Sequence, residues 1–298
     1  MSEERDGRAA VGEDRGDFSR RAFDALSLGG TLAATTRSVV AALPVVETDI
    51  VIETRDGTCD AAFIHPATGS YPGVLIWPDA FGLRPAMRDM ARRLAGDGFA
   101  VLVPNPFYRL AKAPLYDTAA NVNFSDPATR AKLGPLMGSI TAPGAAEKDA
   151  AMFVAFLDAQ PQVDRSCKID TQGYCMGGAL ALRTAAAVPD RIGAAASFHG
   201  GGLVTDKPES PHLLAPRIRA RSYIGVAAND DQRQPDAKDK LRAAFAAANV
   251  PVEIEVYPAR HGWCVPDMPT EAGAPVYSAD EAERAWGKLL ALYRSALA

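Results

Sequence analysis

The chain has little of what several common protein classes require. Its four histidines and four cysteines are dispersed, and no two cysteines form a CxxC pair. Spacing therefore gives no structural zinc site, and a disulfide has no pattern behind it. A formal net charge of -4, with Lys and Arg scattered, offers no basic footprint for a nucleic-acid backbone. Nucleic acid is not an expected partner. No run approaches the ~18 consecutive apolar residues that cross a bilayer, so stable membrane insertion is not expected either. The chain holds no G-x-S-x-G and no internal repeat.

What it does hold is core material. Its 298 residues are 48% hydrophobic and 23% charged, enough to build one large α/β domain. Residues 1–42 read as an extension preceding a domain over 43–298. Ser19, Arg20, Arg21 and Phe23 stand before a Gly/Ala-rich stretch, the pattern of a twin-arginine export signal, with Val40 to Ala42 as its cleavage site. Asp24 and Arg37 interrupt that pattern, and the competing reading is an amphipathic helix packed on the domain. The first reading implies an exported, periplasmic protein and the second a cytoplasmic one.

From about Val45 the pattern alternates between strand and helix. Two alternating apolar runs flank Asp56-Gly57, which predicts an antiparallel hairpin at a sheet edge. "GVLIWP", "FAVLVPNPF", "KIDTQGY", "RIGAAASFHG", "RARSYIGVAAND" and "PVEIEVYPARHG" read as strands. Helical segments include "RPAMRDMARRLAGDG", "AAEKDAAMFVAFLDAQ" and "DAKDKLRAAFAAAN". A closing helix places Ala282, Trp286, Leu289, Tyr293 and Leu297 on one stripe. This order implies an α/β fold with a mainly parallel sheet and helices on both faces.

In such a sheet, chemistry gathers at the carboxyl ends of the strands. Gly173-Tyr174-Cys175-Met176-Gly177 falls at one such end, directly before an alanine-rich helix. This is the strand-turn-helix elbow of a nucleophile, with cysteine in the serine slot. The glycines fit a sharp turn that leaves no room for side chains two residues to either side. A position at a helix N-terminus also favours the reactive thiolate. The competing reading of Cys175 is an inert core residue.

An elbow predicts the chain order nucleophile, acid, histidine. Only His261 lies beyond the candidate acids, in the loop after "PVEIEVYPAR". The acid belongs at the end of the preceding strand, where Asp231 is favoured and Asp230 is the second choice. The carboxylate would orient the imidazole, and His261 would activate first the thiol and then a water. The oxyanion hole would take its two amides from Met176 and Ala80. "FHGGG" (198–202) lies downstream of the nucleophile and reads as a close-packed turn near the cleft. Phe81 and Trp263 read as apolar pocket walls, and Cys264 as a buried small hydrophobe. Asp79 reads as a cap for the helix after it or as a pocket residue.

"GYCMGGALA", the "IWPDAFGLR" loop, "VPNPFYR", the Asp231 region and "RHGW" together resemble the dienelactone hydrolase (carboxymethylenebutenolidase) family of α/β-hydrolases, over roughly residues 48–297. The resemblance implies a Cys175, Asp231, His261 triad that opens small esters or lactones through a thioester, without a cofactor. It matches Asp79 to a family glutamate that meets the resting thiol, and Arg109 to an arginine that binds the substrate carboxylate. Two departures stand out: the aspartate is shorter, and "HGWCVPD" lacks the family's second arginine. The competing class is a thiol sensor or binding protein on the same fold.

Overall fold

A computed structural model of the chain describes residues 41–271 and 273–297. The twin-arginine-like segment up to residue 40 lies outside the described residues. β1 (Val45–Thr54) and β2 (Gly57–Pro66) form the expected hairpin, with Thr54 opposite Gly57. Arg55 and Asp56 form its two-residue tip, one position earlier than the sequence suggested. Gly57 opens β2 at φ 133°, a backbone that side chains rarely adopt.

Six parallel strands follow: β3 (Gly73–Trp77), β4 (Ala100–Pro104), β5 (Ile169–Tyr174), β6 (Ile192–Phe198), β7 (Arg221–Ala227) and β8 (Val252–Tyr257). The sheet order is β1-β2-β4-β3-β5-β6-β7-β8, with β2 antiparallel to β4 and all later pairs parallel. This is the arrangement of an α/β-hydrolase. The central strands are buried on both faces because their apolar residues alternate between two layers. Leu75 and Trp77 join one core, and Val74 and Ile76 the other.

α1 (Pro85–Gly96) and α7 (Ala279–Leu297) cover one face through Met87, Leu94, Trp286 and Leu289. The opposite core takes α2 (Pro127–Thr141), α3 (Ala145–Ala159), α4 (Met176–Ala187) and α6 (Ala237–Ala247). The expected stripe on α7 buries Ala282, Trp286, Leu289 and Tyr293, but Leu297 at its end is 37% exposed. A further short helix, α5 (Ala228–Arg233), directly continues β7. Because β3 and β5 are neighbours, the loop after one stands beside the turn after the other. A hydrogen bond from Trp77 Nε1 to Thr184 Oγ1 (2.9 Å) ties β3 to α4 beneath them. No helix among the described residues is long and apolar enough to cross a membrane.

Candidate active site

Cys175 is the single residue between β5 and α4. Its backbone sits at φ 53° and ψ -116°. A non-glycine residue pays on the order of 1–3 kcal/mol for such a conformation, so the surroundings must hold it. They do so from both sides. The Cys175 N–H donates to the Phe198 carbonyl and to His199 Nδ1, each at 3.1 Å, while its carbonyl accepts from Gly178 and Gly201. A Cβ on Gly173 would stand 1.9 Å from the Gly177 oxygen, and one on Gly177 would stand 2.3 Å from the Trp77 oxygen. The turn therefore closes only with glycine at both places. Met176 follows as the first residue of α4, where amide N–H groups have no intrahelical acceptor. Ala80 borders the same cavity as Cys175.

His261 approaches from the loop after β8. Its Nδ1 lies 2.6 Å from Asp230 Oδ2, and its backbone N–H donates to Asn229 Oδ1 at 2.8 Å. Burial works against a charged ring, but the Cys175 charge and the Asp230 carboxylate outweigh it and push the His261 pKa up to about 10. The favoured acid of the sequence reading, Asp231, is not the one that meets the histidine. Asp231 pairs with Lys238 at 2.6 Å. The reason is local. Both aspartates lie in the first turn of α5, and adjacent residues on a helix point about 100° apart. Only Asp230 can face His261.

Asp79 lines the cavity as a pocket residue, but its carboxylate is turned to Arg84 rather than to the thiol. Arg84 is fully buried and spends all five N–H donors. Its Nη1 reaches Asp79 Oδ1 (2.7 Å) and the Gly82 carbonyl (3.3 Å), and its Nη2 reaches Asp79 Oδ2 (3.0 Å) and Asp267 Oδ1 (2.7 Å). Nε reaches Asp267 Oδ2 at 2.8 Å. Asp79 Oδ1 further accepts the Phe81 N–H at 2.9 Å. Both carboxylate oxygens are thus engaged by Arg84 and its own loop. Nor does Asp79 cap α1, because the N-cap residue is Arg84. Asp267 in turn accepts the Ala119 N–H at 2.9 Å. One guanidinium therefore joins the loop after β3, the Ala119 segment and the Asp267 segment around the cavity. Despite burial, Arg84 holds the Asp267 carboxyl below the usual carboxylate range.

Arg109 is not at the cavity. It pairs with Asp149 through Nη1 and Nη2 (2.8 and 2.7 Å), with Asp56 (2.7 Å), and lies over the Tyr108 ring. Two carboxylates, Asp149 and Asp56, occupy its guanidinium. Trp263 is likewise no pocket wall. It is fully buried, stacked on Tyr257 and edge-on to His199. Phe81 does line the cavity as expected. Cys264 is buried and faces a separate cavity of about 200 Å³ between Tyr174, Phe198 and Trp286.

Sequence reasoning missed His199 as a site residue. It follows β6 at φ 40°, is 1% exposed, and lies with its ring 4.8 Å from that of His261. Since its Nδ1 accepts from the Cys175 amide, the ring proton sits on Nε2. Burial, and then the neighbouring His261 charge, hold its pKa well below the ordinary value. A second cation is thus kept away from His261. Its position at the end of the strand beside β5 was the available signal.

The cavity has a volume of about 660 Å³. Cys175, His199 and His261 border it together with the apolar side chains of Phe81, Val122, Phe124 and Met268.

Comparison with known proteins adds four findings. The model of the dienelactone hydrolase family matches residues 59–297. The carboxymethylenebutenolidase of Rhodococcus opacus is 29% identical over 228 residues, covering 73% of this chain and 82% of the relative. Carboxymethylenebutenolidase 1 of Cupriavidus pinatubonensis is 26% identical over 221 residues, covering 74% and 87%. The solved structure m3DLH superposes with a TM-score of 0.69 at 26% identity, covering 85% of this chain and 99% of that one.

Proposed function

The chain belongs to the dienelactone hydrolase family, and from that premise we propose that it hydrolyses small esters or lactones through Cys175, His261 and Asp230. One observation carries the reading: His261 holds Asp230 at 2.6 Å on Nδ1 and borders the same cavity as Cys175, whose charge helps raise the His261 pKa. That is the relay a thiol nucleophile requires.

In the first half-reaction the Cys175 thiolate attacks the acyl carbon. The tetrahedral oxyanion receives hydrogen bonds from the Met176 and Ala80 amides. The carbon–oxygen bond then breaks, and the leaving alkoxide takes a proton from His261. In the second half-reaction His261 removes a proton from water, the hydroxide attacks the thioester carbon, and the thiolate departs with the electron pair of the carbon–sulfur bond. Asp230 fixes the His261 tautomer and stabilises the imidazolium in both halves. The chemistry calls for no cofactor.

Kinetics on a panel of aryl esters and unsaturated lactones test this, comparing the native protein with Cys175→Ala. Turnover by the first and its abolition in the second, with an unchanged melting temperature, is the expected result. Equal turnover by both proteins would overturn the proposal.

We further propose that residues 1–42 direct export, a reading supported by the Ser19-Arg20-Arg21 pattern. Cell fractionation of the full chain beside an Arg20→Lys, Arg21→Lys variant tests it. A periplasmic protein that stays cytoplasmic in the variant is expected, and identical distributions would contradict it.

A further inference from the structure

Resting on the hydrolase reading, we propose that the cavity selects an uncharged ester or lactone bearing an aromatic or similarly bulky apolar group, and disfavours carboxylated substrates. The first ground is charge. The arginine that the family resemblance would assign to a substrate carboxylate, Arg109, is bound to Asp149 and Asp56 and does not line the cavity. The charged side chains that do line it, apart from the His261 site, are Asp79, Glu271 and Arg233. Behind Asp79, one arginine serves two carboxylates, so the Asp79–Arg84–Asp267 cluster carries one net negative charge. Asp230 is already committed to His261.

Arg233 does not reverse this balance. Its side chain is 73% exposed, and its ion-pair partner is Asp230 at 3.2 Å. A cation in open solvent is screened within ~8 Å at physiological ionic strength. Its nearest anion is already part of the site. An incoming carboxylate would thus lose hydration among aspartates without gaining a buried fork of donors.

The second ground is shape. Phe124 borders the cavity yet is 45% exposed, and it meets Phe81 edge-to-face at 6.3 Å. Phe81 is itself 4% exposed and braced edge-to-face by Tyr116. A fixed ring with an uncovered partner at a cavity mouth is a surface that an apolar group can complete. Val122 and Met268 continue the same wall. The 660 Å³ volume falls in the ~300–1,000 Å³ range of sites that enclose drug-sized ligands. A monocyclic lactone alone would leave much of that wall wet.

The test is a matched pair of aryl esters, identical except for a carboxylate on the ring remote from the scissile bond, assayed with the native protein. A kcat/KM at least ~10-fold higher for the neutral ester, with the gap narrowing as salt is added, is expected. Equal or higher kcat/KM for the carboxylated ester would overturn this proposal while leaving the hydrolase reading intact. Turnover of neither ester would overturn the hydrolase reading itself, and this proposal with it. In Phe124→Ala the KM for the neutral aryl ester should rise ~10-fold, as for loss of one aromatic contact, with kcat changed little. An unchanged KM would remove the aromatic seat.

Discussion

Arg84 and Arg109 are each held between two carboxylates, yet they do different things. Arg84 has no exposed side-chain surface and joins three segments around the cavity. Arg109 joins the β1–β2 hairpin tip to α3 through Asp56 and Asp149, away from the chemistry. An arginine in a loop near a nucleophile is thus not a ligand-binding group by position alone. Its nearest carboxylates decide. The same lesson applies to Asp230 and Asp231, neighbours in sequence whose partners are His261 and Lys238.

The aspartate comparison carries the largest expected effect. Asp230→Asn should lower kcat on the order of 10³-fold, because an amide cannot hold the same tautomer and charge on His261. Asp231→Asn should change kcat by less than ~3-fold, since it loses a partly exposed ion pair with Lys238. Steady-state kinetics on the two variants measure this, and the reverse ranking would return the acid to Asp231.

The arginine comparison comes next. Removing one partner of a buried ion pair costs about 3–5 kcal/mol, because the charge left behind has no counter-ion. Arg84→Met and Arg109→Met should therefore both lower the denaturation midpoint. Only Arg84→Met should also lower kcat/KM, by ~10-fold or more, as the loop bearing Ala80 loses its anchor. Paired denaturation curves and kinetics would separate the two. A loss of kcat/KM in Arg109→Met on neutral esters would break the contrast.

The smallest effect is a titration shift. In the native protein His261 stays protonated until pH rises through about 10, against an ordinary value of 6.5. The raised value means that this pair stabilises the fold fully below pH ~6.5, and that the contribution fades as pH rises through about 10. Cys175→Ala removes the neighbouring charge, so the His261 titration should move down by ~1 unit or more. NMR of the imidazole protons in both proteins reads it. An unmoved titration would mean that Cys175 and His261 are not coupled.

The sequence carried the sheet, the elbow and His261, because these are set by short-range pattern. Alternating runs marked the β1–β2 hairpin, short strand-like runs between helical segments marked β3 to β8, and the glycines around Cys175 marked the turn. α2 was not visible, since Gly134, Pro135 and Gly138 interrupt it and only Leu133, Leu136 and Ile140 are buried. α5 was hidden because six residues, none of them buried, give no period. That concealed helix is why the carboxylate facing His261 was read one position late. The Asp79–Arg84–Asp267 cluster was out of reach for another reason: Arg84 and Asp267 are 183 positions apart. Pairing at that distance follows from the assembled fold, not from local spacing.

The central claim is that the acyl group is carried on Cys175. Mass spectrometry of the protein quenched during the first turnover of an activated aryl ester tests it most directly. A mass increase equal to the acyl group, mapped to the peptide containing Cys175 and absent from Cys175→Ala, is the predicted result. Turnover with no covalent adduct, or an adduct on another residue that survives in Cys175→Ala, would contradict the account.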